Sequence, residues 1–221
     1  MGEVDEKKIP ITGNSRFGCW ICTMVKEDKS LKAFIDRGET WLSPLRDYRN
    51  YLLEMRSNPA MRETKRRNGS VYVKADGEFG LGPFTMEARK DLLRNLLKLE
   101  VSTGLDLISL EELKTIDEMW DKEGDLTRRT LVDIYFEIKK KKLPWDDFKV
   151  PVFPLETIEL IKLQCKTYDI EFEMISKLII EINDNKSLSN NDHITKAFDR
   201  VINQGWLHYQ NIQRGLEDEN K

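Results

Sequence analysis

Three cysteines and two histidines in 221 residues leave this chain poor in soft-metal ligands. So few thiols do not make the dense, even-numbered disulfide framework of a small secreted domain. No apolar run approaches the roughly 20 residues that crossing a bilayer requires. The opening Met-Gly-Glu-Val-Asp-Glu-Lys-Lys lacks the apolar core of a signal peptide. These absences predict a soluble, cytoplasmic protein with no membrane partner. The chain also lacks a glycine-rich phosphate loop, an internal repeat, a Ser–His–Asp pattern and a paired-carboxylate signature, so spacing alone nominates no catalytic residue.

What is present suits a helix-rich folded protein: 34% charged and 39% hydrophobic residues, with 5 Trp and 9 Phe. Net charge is -3, which favours neither nucleic acid nor membrane in bulk. Between Trp41 and Lys74, however, eight cations (Arg46, Arg49, Arg56, Arg62, Lys65, Arg66, Arg67, Lys74) face three acids (Asp47, Glu54, Glu63). A basic island on an acidic body is a local binding signal. Within it Arg62, Lys65, Arg66 and Arg67 fall in a polar stretch, 57–68, expected to be a flexible loop. A cationic finger there is suited to DNA phosphates, with Tyr48 and Tyr51 as stacking candidates. The bland alternative is a solvated loop.

Periodicity predicts a mainly α fold: a multi-helix domain with one small β-hairpin near residues 70–82, preceded by an N-terminal CxxC loop. Asp76-Gly77 between Val71-Tyr72-Val73 and Phe79-Gly80-Leu81 is the hairpin signal. Thr85 as N-cap and Gly104 beyond the end frame a helix, and Ser109 with Glu112 forms a capping box before the next. Further helices are expected over about 126–142, as one long element over 155–182, and near 192–209. Pro144, Pro151 and Pro154 mark a linker. The resulting organisation is a partly loose cysteine segment (1–29), a helical domain with the hairpin (30–143) and a C-terminal helical subdomain (152–221).

The most informative stretch is Gly13-Asn-Ser-Arg-Phe-Gly-Cys-Trp-Ile-Cys-Thr-Met-Val25. Cys19 and Cys22, spaced as CxxC, suit a shared soft metal ion, an iron–sulfur cluster or a local disulfide. Phe17 and Trp20 flank them and Arg16 precedes them. Cys165 lies at an apolar helical position and reads as a core residue. His193 and His208 are distant in sequence.

This run, with Lys74-Ala-Asp-Gly-Glu-Phe-Gly-Leu-Gly-Pro-Phe-Thr-Met-Glu-Ala-Arg-Lys90, closely resembles the cluster-binding region of the DndC family. Those are sulfurtransferases of DNA phosphorothioation, related to phosphoadenosine-phosphosulfate reductases. The resemblance covers about residues 11–100 and fades over the helical remainder. It implies an ATP-dependent enzyme with a pyrophosphatase-like domain and a 4Fe-4S cluster on four cysteines. Its partners would be DNA, other phosphorothioation proteins and a cysteine desulfurase. It makes Cys19 and Cys22 the last two metal ligands, and Arg16, Arg62, Lys65, Arg66 and Arg67 nucleic-acid-binding candidates. The family's preceding ligand falls at Thr12, and the Ser-Gly-Gly-x-Asp-Ser pyrophosphate loop is not found. The expectation is therefore a C-terminal part of such an enzyme, with an incomplete cluster site, with ATP bound only through an N-terminal domain, and with no turnover alone. A non-catalytic DNA-binding or adaptor module with a structural or vestigial CxxC is the alternative. A thiol redox protein is a third.

Overall fold

A computed structural model describes residues 20–66, 70–185, 195–199 and 201–202. The described chain is mainly helical and divides between Ser57 and Asn58 into two units.

In the first unit, α1 (Lys29–Asp36) is capped by Asp28, whose carboxylate accepts from the Leu31 amide. A short turn at Thr40–Leu42 leads into α2 (Ser43–Ser57), with Pro44 in its first turn where a missing N–H costs nothing. Leu45, Arg49 and Met55 form its buried face.

The second unit holds α3 (Met86–Thr103), α4 (Leu110–Lys122), α5 (Thr130–Lys139), α6 (Leu155–Thr167) and α7 (Phe172–Asn185). The expected caps form. Thr85 Oγ accepts from Ala88, and Gly104 takes the left-handed conformation (φ 72°) that ends α3. Ser109 and Glu112 exchange both bonds of a capping box at α4. α3 and α4 pack on α5 around Leu93, Leu97, Leu113, Trp120, Leu131 and Ile134. A second cluster joins Leu126, Ile158 and Ile180. Phe153, from the proline-fenced stretch, packs on it, so that stretch is part of the core rather than a bare connection.

Two sequence expectations are corrected. The single helix over 155–182 is two, α6 and α7, broken where Asp169 adopts φ 53° and Ile170 N–H turns back to the Cys165 carbonyl. The β-hairpin does not form a ladder. The segment makes only isolated antiparallel bridges, Arg62↔Phe84, Lys65↔Val71 and Val73↔Phe79. The Asp-Gly turn itself is present, with Lys74 N–H donating to Glu78 O at 2.8 Å and Gly77 at φ 83°. Beyond it Gly80, Gly82 and Pro83 deprive the returning arm of side chains and a donor, and regular pairing stops. Helix is present at 195–199 and 201–202, and the rest of the helix expected over 192–209 lies outside the described residues.

Candidate functional site: the cysteine segment and the basic island

An extended chain that joins no sheet leaves its carbonyls in need of donors. The stretch after Cys22 meets that need from α2. Arg49, 1% exposed, donates from its guanidinium to the carbonyls of Val25 and Lys26, the latter at 3.2 Å, and to Asn50 Oδ1. Two turns along, Arg56 donates to Thr23 O at 2.8 Å. These arginines lie seven residues apart on one helix face, so the planar fork of each reaches the same passing segment. Trp20 sits against Tyr48, ring centroids 5.9 Å apart, and Tyr48 against Tyr51 at 6.2 Å. Burial, with Tyr51 adding to it, pushes the Tyr48 phenol up to about 12.

Cys22 is thus a half-buried thiol on a segment tacked down at three points, Thr23, Val25 and Lys26. Cys19, Arg16 and Phe17 lie outside the described residues, as do His193 and His208. Arg49 is the residue that sequence reasoning missed. Counted by type it belongs to the basic island, yet its charge faces backbone oxygen in the interior. Its place at the spacing of Leu45 and Met55, on the apolar face of α2, is the signal that marks it.

The rest of the island is in the second unit. Arg62 donates from Nε to Gly82 O at 2.7 Å and lies 4.5 Å over the Phe84 ring. Lys65 pairs with Glu171 at 2.5 Å, and its side chain is only 16% exposed. Arg66 is exposed, 5.1 Å over the Tyr72 ring. Arg67 lies outside the described residues. Of the stretch expected to be a flexible cationic loop, the described part, 57–66, is held by these bonds and by a short 3-10 turn at Pro59–Met61. Gly82 lets it pass closely: a Cβ there would run into the carbonyl oxygens of Lys65 and Glu63.

Arg62, Glu63 and Lys65 line a cavity of about 440 Å³ with Arg89, Glu173 and Lys177. Its charges are largely paired, Arg89 with Glu123, Lys177 with Glu173, and Lys65 with Glu171. Burial, with Glu173 nearby, raises the Glu63 carboxyl above its ordinary value. Burial opposes the charge on Glu173 too, but the Lys177 ammonium hydrogen-bonded to it, helped by Lys65 and Arg89, outweighs that and holds it low. Two carboxyls in one cavity therefore differ in proton affinity.

No protein-family model, curated protein or solved structure matches this chain. Among the described residues no three His, Cys, Asp or Glu side chains group to hold a metal ion. Cys165 is buried in α6, as its spacing predicts. Cys22 is the one member of the CxxC pair whose surroundings are described. A thiol on a clamped backbone suits ligation, because a fixed ligand gives up little freedom when it binds. No described helix is long and apolar enough to cross a membrane.

Proposed function

We propose that this chain is the C-terminal part of a DndC-like sulfurtransferase of DNA phosphorothioation. In this reading Cys19 and Cys22 supply two thiolates to a 4Fe-4S cluster, other segments supply the remainder, and the helical unit is a platform for DNA or partner proteins. The two matched motifs support the reading. One structural observation carries its site: the backbone after Cys22 is fastened to α2 by Arg49 and Arg56. When bound, a cluster supplies electron-transfer or sulfur-handling chemistry. What this chain contributes is the position of its thiolates, Cys22 lying between the clamped backbone and Trp20, which packs on Tyr48. ATP would be handled by a pyrophosphatase-like domain, and sulfur would come through a cysteine desulfurase.

The test is anaerobic reconstitution of the chain with ferrous iron, sulfide and an excess of a small thiol that stands in for the ligands other segments supply. Sulfur-to-iron charge-transfer absorbance is expected, and it should fall in both Cys19→Ala and Cys22→Ala. A featureless spectrum without stoichiometric iron removes the cluster from the proposal.

A further inference from the structure

The island's cations are not equivalent. Lys65 is bound to Glu171 and Lys74 to Glu78, while Arg62 is taken up by Gly82 O and the Phe84 ring. Arg66 differs: among the described residues it has no carboxylate partner, and its guanidinium rests over Tyr72. The backbone arranges this. Arg66 N–H donates to Ser70 O at 2.8 Å and Lys65 bridges Val71, so the 62–66 stretch runs beside the arm that carries Tyr72. Across that arm Gly80 N–H donates to Tyr72 O at 2.6 Å. A Cβ at Gly80 would lie 2.5 Å from Tyr72 Cδ1, so only glycine lets the ring settle there. Gly80 thereby fixes the ring on the arm, and the ring carries Arg66. Tyr72 is 52% exposed and Arg66 is exposed.

We propose that Arg66 and Tyr72 form a stacking platform for an unpaired nucleotide of DNA. The proposal rests on the DNA half of the reading above and names the form of DNA that the platform takes. A guanidinium on an aromatic ring keeps an open planar face for a base, while its edge N–H groups remain available to a phosphate oxygen. Bases inside a duplex present no free face, so the partner is a single strand or an extruded nucleotide. Asp76 and Glu78 at the tip of the arm disfavour insertion of the tip into a groove, which leaves the stem as the contact.

The test is fluorescence anisotropy of the full chain with a labelled oligothymidine and with a duplex of equal length, over a salt series. The single strand is expected to bind more tightly. Tyr72→Leu and Arg66→Ala should each weaken it by about tenfold. Arg66→Ala should also flatten the log–log salt slope by roughly 0.7, the loss of one phosphate contact, and Tyr72→Leu should leave the slope alone. Tyr72→Phe, which keeps the ring on Gly80, should bind like wild type, and circular dichroism checks the fold of each variant. Tighter duplex binding, or single-strand binding indifferent to both substitutions, overturns the platform and leaves the DNA reading standing. Binding to neither DNA overturns both, while the cluster test above stands apart.

Discussion

The two units hold their inward-reaching cations in opposite ways. In the first, the terminal nitrogens of Arg49 donate to main-chain carbonyls and to Asn50 Oδ1, none of which holds a formal charge or titrates. In the second, part-exposed cations reach inward to carboxylates. Lys149 bridges Asp117 at 2.7 Å and Asp121 at 2.6 Å, Lys139 reaches Glu100 at 2.8 Å, and Arg129 reaches Asp146 at 2.9 Å. Burial works against the Lys149 charge, but the two aspartates it bonds outweigh that and keep the ammonium above its ordinary value. The contrast follows from what each cation must fix. A carbonyl clamp holds a stretch of chain that has no ladder of its own. A salt bridge joins elements whose backbone already bonds to itself, helix to helix at Lys139–Glu100 and turn to helix at Lys149–Asp117. The first arrangement serves a segment that carries a thiol; the second serves a scaffold.

The largest effect should come from breaking the scaffold's pair on one side only. Asp117 is 1% exposed, and Trp145 Nε1 and Lys149 both donate to its Oδ2. Lys149→Met strands a buried carboxylate and should cost about 3–5 kcal/mol in urea unfolding followed by tryptophan fluorescence. Adding Asp117→Asn, which removes the buried charge and keeps an acceptor for Trp145 Nε1, should recover part of that loss, Asp121 still lacking its cation. If the double variant is no better than the single one, the cost is lost packing, and the comparison fails on its second side.

Next comes the clamp. Arg49→Met leaves the carbonyls of Val25 and Lys26 without donors and should cost about 2–3 kcal/mol. Hydrogen exchange read segment by segment should show the loss confined to residues 20–57. Arg49→Lys should restore little, because one ammonium cannot present the planar fork that reaches both oxygens. Protection unchanged in Arg49→Met would mean that the cysteine segment is held by Trp20 and Arg56 alone.

How much of this was written in the chain depends on how local each signal is. The caps at Thr85, Gly104 and Ser109–Glu112 were legible because each motif is closed within four residues or marked by one glycine. The break between α6 and α7 was not, because no glycine or proline marks it. Asp169 takes the left-handed conformation at a site whose apolar spacing continues across the turn. The hairpin was overread because Asp-Gly fixes a turn and says nothing of whether the arms can pair beyond it. Arg49 was hidden by its type, since a charge count treats a buried arginine like a solvated one. The CxxC pair was legible as a motif, but a ligand set is a property of space, and of that pair only Cys22 is among the described residues.

A smaller effect separates the arm from the helices it precedes. Gly82→Ala places a methyl group against the main-chain oxygens of Lys65 and Glu63, atoms that cannot swing aside. A cost of about 1–3 kcal/mol is expected. Amide protection should fall over 62–84 while α3 to α5 keep theirs. Uniform loss across the second unit would show that the arm is part of the cooperative core.

The finest distinction between the units is one of pH. Tyr48 is neutral when protonated, and its phenol is raised from 10.0 to about 12 by burial and by Tyr51. A raised folded value means that the unfolded chain ionises first. The stability tied to this proton is therefore complete below pH 10 and is lost as pH rises towards 12. Ultraviolet titration of phenolate absorbance should show a late step near pH 12, and Tyr48→Phe should remove that step. The helical signal of the wild type should begin to fall in the same interval, and less so in the variant. A titration identical in both proteins would mean that the Tyr48 hydroxyl is open to water, and that the aromatic row Trp20–Tyr48–Tyr51 does not shield the cysteine segment.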